Sequence, residues 1–144
     1  MSIKISIKNS LNQKSVKNHV FFTNKNFKIN ELSKLPISKF SSFINQSLSS
    51  NELSDKNFLS LDINASQKVI LIKIKDNQSA LDIEKIGAEF YVYLKSNSYL
   101  KTTFYEQNIR NTFPKNKFFF DQFAQGLQLK SVSYTHLRAH ETQR

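Results

Sequence analysis

The run Lys68-Val-Ile-Leu-Ile-Lys-Ile-Lys75, followed after Asp76-Asn77-Gln78 by Ser79-Ala-Leu-Asp-Ile-Glu-Lys-Ile-Gly-Ala-Glu-Phe-Tyr-Val-Tyr-Leu-Lys95, decides the fold class. Val69 to Ile72 is unbroken apolar sequence, mostly β-branched, which predicts a strand covered on both faces and therefore central in its sheet. The polar break ends the strand. Ser79 with Asp82 three residues later makes a short capping-box pattern, in which hydroxyl and carboxylate answer first-turn N–H groups and complement the helix dipole. Ile83, Ile86, Gly87, Phe90 and Leu94 then fall on one helical face, while Asp82, Lys85 and Glu89 fall on the other. A central strand followed by a capped helix packed on it is the expectation, with Gly87 letting the helix approach Val69 to Ile72 closely.

Outward from this unit, Ile3, Ile5 and Ile7 alternate with Lys4, Ser6 and Lys8, which predicts a strand with one buried face, its lysines suiting a sheet edge. His19-Val-Phe-Phe-Thr23 is a second short strand. Pro36 is placed as a first-turn proline, and Ile37, Phe40, Ile44 and Leu48 predict an amphipathic helix over 37–48. Asn57 to Ile63 alternates and turns through Asn64 and Ala65 into the central run, a hairpin. Ser96-Asn97-Ser98 closes the capped helix, and Tyr99 to Tyr105 has strand composition. Strand, helix and strand in that order predict a right-handed parallel crossover. Asn108 to Lys115 reads as loop around Pro114, and Phe119, Phe120, Phe123, Ala124 and Leu127 predict a last helix ending near Lys130. The class is α/β.

With 144 residues, 39% of them hydrophobic, and 13 Phe, one domain with a packed core is expected. The net charge of +10 invites a nucleic-acid reading, because clustered cations release counterions from phosphate. The lysines are spread without a dense run, however, and Lys, Asn, Ile and Phe have the codons richest in A and T. Solvated surface lysine is the reading preferred, and nucleic acid is not expected as a partner. Absence of Cys excludes disulfides, thiolate metal sites and a Cys nucleophile. No apolar run approaches the roughly 18 to 20 residues of a membrane span, and Met1-Ser-Ile-Lys alternates, so a cytoplasmic location away from membranes is expected.

Two Gly in the whole chain exclude a dinucleotide fingerprint and a Walker-type phosphate loop, both of which need glycine for close backbone approach. Ser41, Ser42, Ser47, Ser49 and Ser50 lack a nucleophile-elbow context and read as surface. His19, with no carboxylate or nucleophile near it in sequence, reads as a strand-end polar residue rather than a general base. The aromatics beside Lys115 and Lys117 read as core rather than a base-stacking platform.

Composition changes after Ser131. Residues 132–144 hold His136 and His140 of the three His, and Arg138 and Arg144 of the three Arg, but no Lys. Val132-Ser-Tyr-Thr-His-Leu-Arg-Ala-His-Glu-Thr142 resembles the in-frame translation of a transposon-based sequencing adapter. The expected domain is therefore 1–131, with 132–144 a non-native, disordered tail. That removes His136 and His140, four residues apart, as metal ligands and Arg138 as an anion ligand. It also implies a natural protein longer than this chain.

Phe123-Ala-Gln-Gly-Leu-Gln-Leu-Lys-Ser131 resembles the close of the N-terminal domain in M17-family leucyl aminopeptidases, where an Ala-x-Gly-x-x-Leu-[Arg/Lys]-Ser helix end precedes the linker to the catalytic domain. Asp82-Ile-Glu-Lys-Ile-Gly-Ala-Glu-Phe90 is similar to the helix after that family's core strand. The chain departs where the family strand runs into Gly-Leu-Gly-Lys: Ile74-Lys75-Asp76-Asn77 stands there, making Asn77 the residue expected in a left-handed conformation. The resemblance implies a three-layer α/β/α, macrodomain-like domain with a mixed, largely parallel central sheet. It further implies a parent peptidase with two divalent ions, Mn or Zn, in a catalytic domain absent here, assembled as a homo-hexamer and acting on peptides. No catalytic, cofactor-binding or metal residue of the family falls on this chain, so none is assigned and the fragment is expected to be inactive. A free-standing macrodomain-like module for a nucleotide derivative such as ADP-ribose, and a basic nucleic-acid-binding domain, are the alternatives.

Overall fold

A computed structural model describes residues 3–8, 17–24, 57–63, 65–75, 78–112 and 118–142. Its elements are β1 (Lys4–Lys8), β2 (Asn18–Thr23), β3 (Phe58–Asp62), β4 (Lys68–Lys73), α1 (Ala80–Asn97), β5 (Lys101–Tyr105), α2 (Glu106–Thr112) and α3 (Phe119–Thr142). They form two compact units: Met1–Asp76 with Tyr99–Lys115, and Asn77–Ser98 with Asn116–Arg144. The helix expected over 37–48 and the left-handed turn expected at Asn77 lie outside the described residues.

Among the described residues the first unit holds a five-stranded sheet in the order β1-β5-β2-β4-β3. Every pairing is parallel except β3 with β4, which is the expected hairpin. This is the α/β class with a mixed, largely parallel sheet. The middle place belongs to β2; β4, expected to be central, is interior one position away. Both have a strand on either edge, and Val20 to Phe22 and Val69 to Ile72 have no exposed surface. β1 is an edge strand, as its lysines indicate.

β2 pairs with β4 over six residues but with β5 only at His19 and Val20. Beyond that point β5 has given way to α2, where a loop from Asn108 was expected. Helical geometry there has a use. It turns the fully buried Asn108 side chain onto β2, so that Phe22 N–H donates to Asn108 Oδ1 at 2.7 Å and Asn108 Nδ2 donates to the Phe22 carbonyl at 3.1 Å. One side-chain amide thus supplies the rung that β5 no longer reaches. Thr112 Oγ1 donates to the Asn108 carbonyl at 2.8 Å, and the Arg110–Glu106 ion pair spans one turn of the same helix.

In the second unit, α1 starts at the expected capping box. Ser79 Oγ accepts from Asp82 N–H and the Asp82 carboxylate accepts from Ser79 N–H. Those bonds, backbone first, hold the Asp82 carboxyl below its usual range. The helix ends at Ser98, whose φ of 58° is left-handed and whose N–H caps carbonyls of the last turn. Ile83, Ile86, Gly87, Phe90 and Leu94 are all buried, with Tyr91 added.

Gly87 has a different neighbour from the one expected. A Cβ on Gly87 would stand 2.0 Å from the Phe123 carbonyl oxygen, and one on Gly126 would stand 1.8 Å from that of Glu84. α1 and α3 therefore cross antiparallel, backbone against backbone, with Phe90 and Phe123 in ring contact at 5.6 Å. The helix α3 runs past the expected end near Lys130 and through the stretch expected to be disordered, as far as Thr142. No Gly or Pro follows Gly126 to stop it.

Gly87→Ala and Gly126→Ala oppose two effects of known sign. Alanine favours an exposed helix interior by about 1 kcal/mol over glycine, whereas forcing a methyl into a packed contact costs about 1–3 kcal/mol. Here the obstacle is backbone, so both variants are expected to be destabilised in thermal and urea melts. A midpoint that rises in either would show that the helices do not touch there. For Asn108→Ala, Phe22 N–H loses the Asn108 oxygen while the Phe22 carbonyl keeps the Thr112 hydroxyl at 3.4 Å, and a loss of about 1–3 kcal/mol is expected. Asn108→Asp keeps the acceptor for Phe22 N–H but sets a carboxylate against the Phe22 carbonyl. Its deficit in urea melts should shrink on going from pH 7 to pH 4, where the acid regains a proton to donate.

Candidate functional site

Two features outside the scaffold's ordinary needs stand out, one in each unit. In the sheet, the register sets His19 opposite Thr103 on one face, with Tyr105 two residues further along the same face of β5. The Tyr105 ring reaches back and stacks on the His19 ring, centroids 5.7 Å apart, with Phe21 stacked on its other neighbour position at 5.2 Å. His19 Nδ1 and Tyr105 Oη are 2.6 Å apart, and Gln67 Nε2 lies 3.3 Å from His19 Nε2. With the Gln67 nitrogen as donor, Nε2 accepts and Nδ1–H donates to the tyrosine oxygen; turning the Gln67 amide over reverses both roles. On the same face, Ser6 Oγ and Thr103 Oγ1 pair at 3.1 Å. Polar side chains thus cross-link β1 to β5, and β2 to both β5 and the residue entering β4.

Burial governs the chemistry of this cluster. His19 is 4% exposed, and desolvation pushes its pKa down to about 4; the same effect pushes the Tyr105 hydroxyl up to about 12. Both are neutral at pH 7. A base this weak and an acid this weak make a poor proton-transfer pair near neutrality. His19 was expected at the strand end as a simple polar residue; it does open β2, but as a buried, doubly bonded one. Its partners lie 86 and 48 positions away in sequence, so inspection of neighbouring residues does not find them.

The second feature is an apolar groove of about 250 Å³ within the helix pair, lined by Leu81, Ala88, Gly126 and Leu129 with Lys85 and Lys130 beside them. Leu81 and Leu129 remain more than half exposed. The groove lies beside the glycine crossing, where Gly126 meets the Glu84 backbone.

Among the described residues, no three His, Cys, Asp or Glu side chains gather as a metal site. His136, Arg138 and His140 fall on the last turns of α3, beyond the described side chains. The serines at 41, 42, 47, 49 and 50 and the lysines at 115 and 117 lie outside the described residues. Phe119 and Phe123, weighed as a stacking platform, are buried core. No described helix is long and apolar enough to cross a membrane.

No protein-family profile matches the chain, and no curated protein matches it. Among solved structures, a lysine-to-glutamate mutant of tomato leucine aminopeptidase superposes with a TM-score of 0.56 at 14% identity. The superposition covers 90% of this chain and 28% of that one. At this identity the likeness is one of fold.

The unfolded chain, with His19 near 6.5, binds the proton more readily than the native state near 4. Stability from this group is therefore complete above pH 6.5 and is lost as pH falls toward 4, by an amount on the order of 2–3 kcal/mol. Urea melts at pH 7 and pH 4.5 should show a smaller difference for His19→Gln than for the parent. Equal differences would show that His19 is not buried neutral.

Proposed function

We propose that this chain is the N-terminal domain of a metal-dependent leucyl aminopeptidase, and that it serves placement and assembly of a catalytic domain rather than bond cleavage. The fold likeness to tomato leucine aminopeptidase over 90% of the chain carries this reading. The two family-like stretches support it from another direction. Asp82 to Phe90 lies in α1, Phe123 to Ser131 lies in α3, and Gly87 and Gly126, one in each, make the backbone contact between them. Segments that resemble one family separately are the segments that fit each other.

In the parent peptidase, paired divalent ions, Mn or Zn, would polarise the peptide carbonyl and activate a water to attack it. Those ions are read as belonging to the catalytic domain of the parent, and no chemical step is assigned to this chain. The basic charge is read as surface, the partners as the missing catalytic domain and further copies in a homo-hexamer, and the location as cytoplasmic. The adapter-like string from Val132 is read as non-native.

The natural reading frame past residue 131 tests the proposal. A metal-binding motif resembling Asn-Thr-Asp-Ala-Glu-Gly-Arg is expected downstream, together with hydrolysis of leucine para-nitroanilide by the full-length protein in Mn or Zn. This chain alone is expected to show none. A frame that stops without that motif, or turnover by residues 1–144 alone, would overturn it.

A further inference from the structure

We propose that the outer edge of β1 is a strand-addition site for an extended peptide of alternating acidic and apolar residues. The inference stands on the sheet and does not depend on the proposed function. In the parallel β1–β5 ladder, Lys4 pairs with Lys101 and Lys4 N–H donates to the Leu100 carbonyl at 2.7 Å. The N–H and C=O of Lys4, Ser6 and Lys8 therefore turn toward β5, and those of Ile5 and Ile7 turn outward. β1 ends the strand order, and among the described residues nothing bonds these outward groups. Ile7 is 48% exposed beside them.

An open edge of this kind recruits a strand through main-chain bonds, and side-chain pairs across the new rung choose which strand. Lys4 and Lys8 sit two positions either side of Ser6 in the register, with Ile5 and Ile7 between them. Paired centre to centre with a second copy, β1 would set Lys4 against Lys8 twice, like charge on like charge, on a chain already at +10. The lysines that oppose self-pairing favour carboxylates in the same places. The fitting occupant reads acidic, apolar, small, apolar, acidic.

The test uses the full chain and a fluorescein-labelled peptide containing Glu-Ile-Ser-Ile-Glu, whose palindromic pattern suits either strand direction. Saturable binding by anisotropy is expected, weakening by about tenfold when both glutamates are replaced by lysine and weakening with added salt. Ile7→Pro removes one outward N–H at an edge position where proline is tolerated, and should abolish binding with the thermal midpoint little changed. If that variant is unstable, Lys4→Glu with Lys8→Glu should invert the preference between the glutamate and lysine peptides. No binding at about 1 mM peptide, or binding indifferent to both variants, would overturn the proposal. Concentration-dependent dimerisation of the chain that Ile7→Pro removes would overturn it too, by assigning the edge to a second copy.

Discussion

A buried parallel strand has no access to water, so each of its N–H and C=O groups must find a protein partner on one side or the other. β2 meets that requirement in two ways. β4 serves one edge over the whole length, while the other is served by β5 for two residues and then by the amide of Asn108. The middle of the sheet is thus closed partly by backbone and partly by one side chain from a seven-residue helix. His19 shows the same economy at the start of the strand, where its ring nitrogens are answered by Tyr105 and Gln67 rather than by solvent. What looks like a catalytic pair in isolation is the polar closure of a dry sheet face.

The parts legible in the sequence were those with a local cause. Alternation in Ile3 to Ile7, the apolar run at Val69 to Ile72, and the Ser79–Asp82 cap each report a burial pattern or a bond within a few residues. The β3–β4 hairpin follows from the short link between two such patterns. What stayed hidden was non-local. Asn108 sits in a polar stretch that reads as loop, and its role depends on where β5 stops relative to β2. The partner of Gly87, the Phe123 backbone rather than β4, is hidden for a similar reason: an interior glycine announces a close neighbour without saying which. The end of α3 stays hidden too, because a change in composition is not a helix stop and residues 132–144 contain neither glycine nor proline.

In the second unit the fold brings two short stretches of sequence together. A TM-score of 0.56 at 14% identity is a likeness of fold, and the two stretches that resemble the aminopeptidase family meet at the helix crossing. The buried cluster and the helix-pair groove then take structural meanings: one holds strands together, and the other leaves apolar surface at a place where a glycine was needed for contact.

Ser98 and the two glycines mark where this chain tolerates discomfort and where it does not. At Ser98 a residue with a side chain occupies a conformation that glycine would adopt without strain, a penalty of about 1–2 kcal/mol that a helix cap can absorb. At 87 and 126 the alternative is an atom inside another residue's peptide oxygen, which no rotamer change relieves. Glycine scarcity therefore works as a filter. Among the described residues, position 98, which needs only backbone freedom, has gone to serine, while 87 and 126 have kept glycine, so the two glycines measure the separation of a helix pair as directly as a spacer of fixed width.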